Sequence, residues 1–153
     1  MSKIVENLCV VVSLVLILTA KATYAAYDAG TVKMTKGNAT IERGDEKITA
    51  KPGIKVQVLD RIITGTDSSI GITLHDGTLL SAGQNSSLNL NKFSFDTNTN
   101  KGALDAYLNR GTLAVVSGTL SKTSREAVTY RTSRMELGVR GTEFILDAGT
   151  GNE

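Results

Sequence analysis

The sequence is poor in the residues that carry most enzyme chemistry. Its 153 residues include one cysteine, one histidine, one proline and no tryptophan. This scarcity nearly excludes a metal site built from His and Cys, and it leaves little material for a Ser-His-Asp or Cys-His catalytic set. We therefore expect no enzymatic activity, no cofactor, no metal site and no catalytic residues.

The chain also has no large excess of positive or negative charge. The chain has 17 Lys and Arg against 15 Asp and Glu, and no run of basic residues forms a patch for nucleic acid. We predict no nucleic-acid partner. With 41% hydrophobic and 21% charged residues, the composition is that of a globular protein, and the length suits one domain.

The longest apolar run lies near the N-terminus, at residues 8–20. It is shorter than the roughly 20 residues of a membrane-spanning helix, but it fits the hydrophobic region of a signal peptide. Small residues at Thr23 and Ala25 predict cleavage before Ala26, and the same spacing recurs three residues earlier. We thus predict a helical signal peptide at 1–25, a mature domain at 26–153, and a periplasmic or secreted location. The alternative is an uncleaved anchor, which would be the chain's one contact with a membrane.

Cleavage also changes the cysteine count. Cys9 lies inside the apolar run and is not preceded by a lipoprotein pattern, so the mature chain would contain no cysteine. Such a domain gains no stability from disulfides, and its core alone must hold it together.

The mature chain alternates apolar and polar residues with period two, as strands with one buried face do. In residues 69–74, Ile70, Ile72 and Leu74 share one face, and in 87–95 the alternation shifts near Lys92. Further strands are predicted at 31–34, 39–43, 56–58, 61–64, 112–116, 127–132 and 143–146. Residues 102–108 fit a helix or a strand, and we favour a strand.

Turn residues separate these runs at intervals typical of all-β domains. The strongest signal is Asp76-Gly77, which suits a two-residue hairpin turn with positive φ at both residues. Weaker turns are predicted at 36–38, 43–45, 51–53, 82–83, 109–111 and 140–142. The sequence therefore predicts one all-β domain of many short antiparallel strands with tight turns. Sandwich, barrel and solenoid arrangements all remain open.

Several residues invite a chemical interpretation, and in each case a structural one is stronger. His75 precedes the hairpin turn, and we interpret it as a surface histidine. Residues 96–102 resemble a calcium loop, but Lys101 and Tyr107 stand where that loop needs Gly and a bidentate acid, so we predict a polar loop. The carboxylates of a possible hydrolase come without the aromatic residues that stack on sugars; they are Asp45, Glu46, Asp60, Asp67 and Asp105.

Arg140-Gly141-Thr142 is the most suggestive cluster, since Arg140 stands between Val139 and a strong strand. A buried guanidinium needs a carboxylate or several carbonyls. We therefore predict that Arg140 is a structural clamp, held by Asp60, Asp67 or Asp76.

Taken together, several segments of the mature chain resemble the FecR domain. Their order and spacing are specific jointly, although each alone is weak, and they span residues 53–146. The family usually has Gly-Asp where this chain has Leu59-Asp60. The matching segments are 56–65 (VQVLDRIITG), 67–69, 72–80 (ITLHDGTLL), 86–90 (SSLNL), 108–115 (LNRGTLAV), 130–132 and 137–144 (LGVRGTEF).

The resemblance implies an extracytoplasmic all-β domain, solenoid-like or sandwich-like. In founding members this domain belongs to a sensor of iron(III)-siderophore uptake that has a cytoplasmic segment controlling a sigma factor and a C-terminal region contacting an outer-membrane receptor. Only seven residues precede the apolar run here, and the chain stops about one strand short of the family pattern. We expect a stand-alone domain without those two parts, or a truncated reading frame.

Three functions follow as hypotheses. The first is a secreted, non-enzymatic FecR-like module that binds another envelope protein. The second is a component or remnant of a FecR-type signal-transduction relay for iron uptake, and the third is an envelope hydrolase. The residues expected to carry the structural motif are Asp60, Asp76, Gly77, Arg140, Gly141 and Thr142.

Overall fold

A computed structural model describes residues 27–150 of the chain. Within them, twelve strands are joined by tight turns, and the helical parts are one turn of α-helix, α1 (Leu120–Thr123), and a 3-10 turn at Arg125–Ala127. The strands are β1 (Asp28–Lys36), β2 (Ala39–Arg43), β3 (Glu46–Thr49), β4 (Lys55–Gln57), β5 (Arg61–Thr64), β6 (Ser69–Leu74), β7 (Leu79–Ala82), β8 (Ser87–Asp96), β9 (Lys101–Val116), β10 (Val128–Arg131), β11 (Glu136–Gly138) and β12 (Glu143–Gly149).

The predicted signal peptide and its helix lie outside the described residues. Among residues 27–150, neither helical turn has the length or the hydropathy to cross a membrane.

The strands form where the sequence alternates apolar and polar residues. In β6 the side chains of Ile70, Ile72 and Leu74 are buried, whereas Ser69 and Thr73 are half-buried. Each fully buried Ile or Leu contributes about 1.5–3 kcal/mol relative to an exposed one, so a register slip of one residue in such a strand would be very costly.

The long strand β9 organises the sheet, because it pairs with two strands along each of its edges. On one side β8 and β7 follow one another, so that Asp96 faces Lys101 at one end and Leu79 faces Val116 at the other. On the other side β10 pairs with the first part of β9 and β12 with the last. One half of the sheet therefore has the order β3-β2-β5-β8-β9-β10-β11, and the other has β4-β1-β6-β7-β9-β12.

The turn predicted at 109–111 is wrong, because these residues lie inside β9. Gly111 has a φ of +82° there, and β9 passes from one half of the sheet to the other at this point. A left-handed glycine within a strand marks an irregularity rather than a reversal of the chain.

The two halves of the sheet bury one common core. Ile41, Ile62 and Leu88 come from one half, Val32, Ile70 and Leu80 from the other, and Leu120 of α1 joins them. The result is a curled, mostly antiparallel sheet that closes into a half-barrel. The all-β prediction is confirmed, with one exception in strand direction, since β10 runs parallel to β9.

Several local predictions can be compared directly. Residues 102–108 lie in β9, which confirms the strand, and β8 has its irregularity between Leu90 and Lys92, as expected. The short strands β3, β7 and β11 were not predicted. The hairpin at Asp76-Gly77 is confirmed, but its turn has three residues and only Gly77 has positive φ.

Candidate functional site

Two buried aspartates dominate the polar interior, and the sequence singled out both. Asp60 is 0% exposed and Asp76 is 4% exposed. An ionised carboxylate at such depth is costly unless hydrogen bonds or a cation compensate it. The groups that bind each carboxylate therefore show which contacts stabilise that part of the chain.

The first aspartate lies between β4 and β5, in a turn that we name the Asp60 corner (residues 57–60 with Arg43). Leu59 has a φ of +72°, in the left-handed region, and this directs its side chain outward and that of Asp60 inward. The amide of Gln57 donates to Asp60 Oδ2 at 2.8 Å, and the amide of Asp60 donates to the carbonyl of Gln57 at 3.2 Å. The carboxylate thus closes its own turn.

Arg43, the last residue of β2, completes the Asp60 corner. Its Nε donates to Asp60 Oδ1 at 2.9 Å and its Nη2 to Oδ2 at 2.8 Å, a two-pronged pair. Nη2 also donates to the carbonyl of Lys55 at 2.9 Å. The pKa of Arg43 is raised above its usual value, mainly by the hydrogen bond with Asp60 and less by the electrostatic attraction between the two charges. One guanidinium therefore ties β2 to the β4–β5 connection.

Asp76 lies in the β6–β7 hairpin and belongs to a second cluster, the Asp76 corner (residues 75–78 with residues 118–120). Its Oδ1 accepts a hydrogen bond from the amide of Thr78 at 3.0 Å, and its Oδ2 accepts one from Thr78 Oγ1 at 2.8 Å. Gly77 takes the left-handed conformation with a φ of +85°. This is the three-residue hairpin loop that ends in a left-handed glycine.

The Asp76 corner also holds the segment that follows β9. The amide of Leu120 donates to Asp76 Oδ2 at 3.3 Å, and the amide of Thr119 donates to the Asp76 carbonyl at 2.9 Å. The amide of Gly118 donates to Thr78 Oγ1 at 3.1 Å. A Cβ at Gly118 would lie 2.4 Å from the Thr78 nitrogen, so only glycine lets the two segments approach this closely.

A third link was missed as a site, although its residues lie in segments that resemble FecR. Ser86 Oγ accepts a hydrogen bond from the amide of Thr112 at 3.0 Å and donates to its carbonyl at 3.1 Å. A Cβ at Gly111 would lie 2.2 Å from Ser86 Oγ. The contact between Ser86 and Gly111 was not visible in the sequence, because the two residues lie far apart along the chain and only the pairing of β8 with β9 brings them together.

The clamp predicted at Arg140 is wrong. Arg140 is exposed, and no hydrogen bond or ion pair joins it to any other residue in the range 27–150. Asp60 is bound by Arg43 instead, and Asp76 by neutral donors. Gly141 has a φ of +55° in an exposed turn, and the carbonyl of Thr142 accepts a hydrogen bond from the amide of Ser117 at 3.2 Å. The Arg-Gly-Thr segment therefore leads into β12 without a buried charge.

The other candidates occupy surface positions. His75 is exposed, with its Nε2 3.5 Å from Asp28 Oδ1. Asp96 begins the loop between β8 and β9 and accepts a hydrogen bond from the amide of Asn98 at 2.8 Å, which lowers the pKa of Asp96. Within the described residues, no three His, Cys, Asp or Glu side chains come together as metal ligands.

The carboxylates considered for a hydrolase are not arranged for acid–base work. Both oxygens of Asp60 are bound to Arg43, and Asp105 is paired with Arg131. The remaining three are exposed at or beside turns; they are Asp45, Glu46 and Asp67. These side chains give the hydrolase hypothesis no support.

Comparison with known proteins identifies a family. A family model described as FecR protein matches residues 60–152, which begins at Asp60 and includes the Asp76 corner and the Arg-Gly-Thr segment. No curated protein and no solved structure matches the chain. The resemblance found in the sequence is confirmed.

Proposed function

The chain belongs to the FecR family, and from that premise we propose that residues 26–153 form a non-enzymatic binding module of the cell envelope. FecR is a family of signalling proteins. The observation that carries the proposal is that three polar motif residues form their hydrogen bonds within the protein itself; they are Asp60, Asp76 and Ser86. Groups satisfied in this way hold a scaffold, which leaves the exposed surface for a partner.

A role in a FecR-type relay for iron(III)-siderophore sensing is the more specific form of this proposal. It is supported by the family match alone. In such a relay the partner would be the signalling domain of an outer-membrane receptor, and the domain would act by binding rather than by chemistry.

Affinity capture tests the proposal. Residues 26–153, purified with a C-terminal tag, are incubated with the detergent-solubilised envelope of the source cell, and bound proteins are identified by mass spectrometry. We expect one envelope protein to be enriched over a capture with the heat-unfolded domain. A receptor signalling domain would support the relay, and a failure to enrich any protein would contradict the binding module.

Export is tested separately. We propose that residues 1–25 are removed and that the module lies outside the cytoplasm. The expected result is a mature protein in the periplasm or medium with Ala26 as its first residue, found by N-terminal sequencing. An intact Met1 in the cytoplasmic fraction would contradict this location.

A further inference from the structure

One outer face of the sheet exposes apolar side chains that the core does not need. They lie on adjacent strands of the half formed by β4, β1, β6, β7, β9 and β12. Cross-strand pairing sets Ile145 beside Ala114, and Leu79 beside Val116. The exposed members are Met34, Leu79, Val116 and Ile145, with Met34 at 60% and Ile145 at 74% exposure.

The face is continuous across the sheet. The row that starts at Ile145 continues through Ala114, Ser81 and Gly71 to Met34. A Cβ at Gly71 would lie 2.8 Å from Met34 Cγ, so the methionine side chain lies over the glycine. Ser81 is an exposed polar residue within this row, so the apolar residues cluster on the face rather than cover it. Clustered exposed apolar residues mark an interaction site more often than scattered ones do.

This face ends at an unpaired strand edge. Among residues 27–150, β12 pairs with β9 and with no other strand. The carbonyl of Thr142 points toward β9, where it accepts the amide of Ser117. Because strand residues alternate in direction, the backbone N–H and C=O groups of Glu143, Ile145 and Asp147 point away from β9, toward the free edge.

The charges along the edge restrict what fits it. Glu143 and Asp147 flank Ile145 on the exposed face of β12, and neither forms an ion pair within the described part of the chain. Asp147 Oδ1 accepts a hydrogen bond from the amide of Gly149 at 2.7 Å. The edge therefore presents an acidic, apolar, acidic pattern.

We propose that β12 is a docking edge for an extended segment of another protein, added as an antiparallel strand. Its recognition chemistry is an apolar residue facing Ile145 and a Lys or Arg on each side of it, two residues away, facing Glu143 and Asp147. Backbone hydrogen bonds supply affinity in this mode, and alternate side chains supply specificity. The proposal rests on the binding module proposed above and assigns that module's contact surface.

The charge pattern disfavours a second copy of this chain at the same edge. Antiparallel self-pairing centred on Ile145 would place Glu143 of one copy opposite Asp147 of the other, twice. Like charges directly opposite one another destabilise a strand pair, whereas opposite charges stabilise it.

Two peptides test the recognition chemistry with the domain of residues 26–153. Both have Thr at the odd positions and Val at the centre; one has Lys at the two flanking even positions, and the other has Glu. We expect the Lys peptide to bind about tenfold more tightly by isothermal titration. It should also slow hydrogen exchange at the amides of Glu143, Ile145 and Asp147. Equal affinities, or protection elsewhere, would overturn the proposal.

Two variants and a control sharpen the test. Ile145→Pro removes an N–H that faces the free edge and does not bond to β9, so the fold is expected to survive while peptide binding is lost. The double variant Glu143→Lys with Asp147→Lys should instead prefer the Glu peptide. Glu136→Lys, on β11, makes one such acid-to-lysine change at another edge and should leave the preference unchanged. Far-ultraviolet circular dichroism verifies folding of each variant.

Envelope capture with Ile145→Pro separates this proposal from the one it rests on. If the wild-type domain captures an envelope protein and Ile145→Pro captures it equally, the binding module stands and the docking edge falls. If the wild-type domain captures nothing while the Lys peptide binds as expected, the edge stands and the proposed function falls. Sedimentation that shows a wild-type dimer broken by Ile145→Pro would make the occupant a second copy and overturn the proposal.

Discussion

The Asp60 corner and the Asp76 corner solve the same problem in different ways. Both bury an aspartate at a connection between strands, and both satisfy it almost entirely with protein groups. Asp60 is bound by the guanidinium of Arg43 and one amide. Asp76 accepts hydrogen bonds from Thr78 and the amide of Leu120, which are neutral donors. The first carboxylate relies on a cation, and the second on the preorganisation of two loops.

The backbone differs between the corners as well. Each places one residue in the left-handed region, but the Asp76 corner uses Gly77, whereas the Asp60 corner uses Leu59, with 77% of the leucine exposed. A leucine there costs conformational energy that a glycine avoids. The usual Gly-Asp of FecR domains at this point has a direct explanation in that φ.

Removing the cation of the Asp60 corner should destabilise the protein more than any other change considered below. Arg43→Ala leaves Asp60 buried with the Gln57 amide as its remaining donor, so the free energy of unfolding should fall by about 3–5 kcal/mol. Urea denaturation measures this loss. Arg134→Ala, which removes an exposed arginine, should change stability by less than about 0.5 kcal/mol. Adding Asp60→Asn to Arg43→Ala should recover part of the loss, because the unpaired charge is removed. Equal stability of the two arginine variants would show that Asp60 does not depend on the cation.

The second prediction concerns the Asp76 corner, where neutral groups donate to the carboxylate. Asp76→Ala leaves the amides of Thr78 and Leu120 and the Thr78 hydroxyl without their acceptor, at a cost of about 2–3 kcal/mol. Because these donors link two segments, hydrogen exchange at the Leu120 amide should accelerate more than exchange in β2. Asp45→Ala, at an exposed turn, is the control and should be nearly neutral. A loss confined to the hairpin, with Leu120 still protected, would contradict the link.

A smaller effect, of opposite sign in the two corners, concerns the left-handed residues. Leu59→Gly should stabilise the protein by about 0.5–1 kcal/mol, since relief of the left-handed strain outweighs the added flexibility of the unfolded chain. Gly77→Ala should destabilise it by about 1 kcal/mol, although a Cβ there would meet no atom within 4 Å. Thermal unfolding compares the pair. The same sign for both changes would refute the conformational explanation.

The smallest effect at neutral pH involves Tyr130, whose pKa is raised by its burial and, secondarily, by the negative charge of Asp76. The folded state favours the neutral phenol, so this contribution is complete below pH of about 10, the pKa of an unfolded tyrosine, and is lost as pH rises above it. The free energy of unfolding of the wild type should therefore fall more steeply above pH 10 than that of Tyr130→Phe. Parallel pH profiles would contradict this.

Particular residues show how far the sequence could be used. Strand β6 could be predicted from Ile70, Ile72 and Leu74, because an alternation with period two is a property of neighbouring residues. The irregularity near Lys92 could be predicted as well, since it interrupts the alternation in β8. The turn predicted at residues 109–111 was wrong, since Asn-Arg-Gly has the composition of a turn but lies within β9. The prediction for Arg140 was wrong for another reason. The cation that binds Asp60 is Arg43, which lies next to a turn, and nothing in the neighbouring sequence indicates that it pairs with Asp60.

The all-β fold, the main strands, the hairpin at Gly77 and the membership in a family could be predicted without the structure, because each depends on alternation, turn residues or ordered motifs along the chain. Only the folded structure shows which carboxylate meets a cation and which meets amides, how β9 pairs in both halves of the sheet, and that β12 pairs only with β9 among residues 27–150. Those features depend on residues far apart in the chain, whose meeting is set by strand pairing and by the approach that glycines such as Gly118 and Gly111 permit.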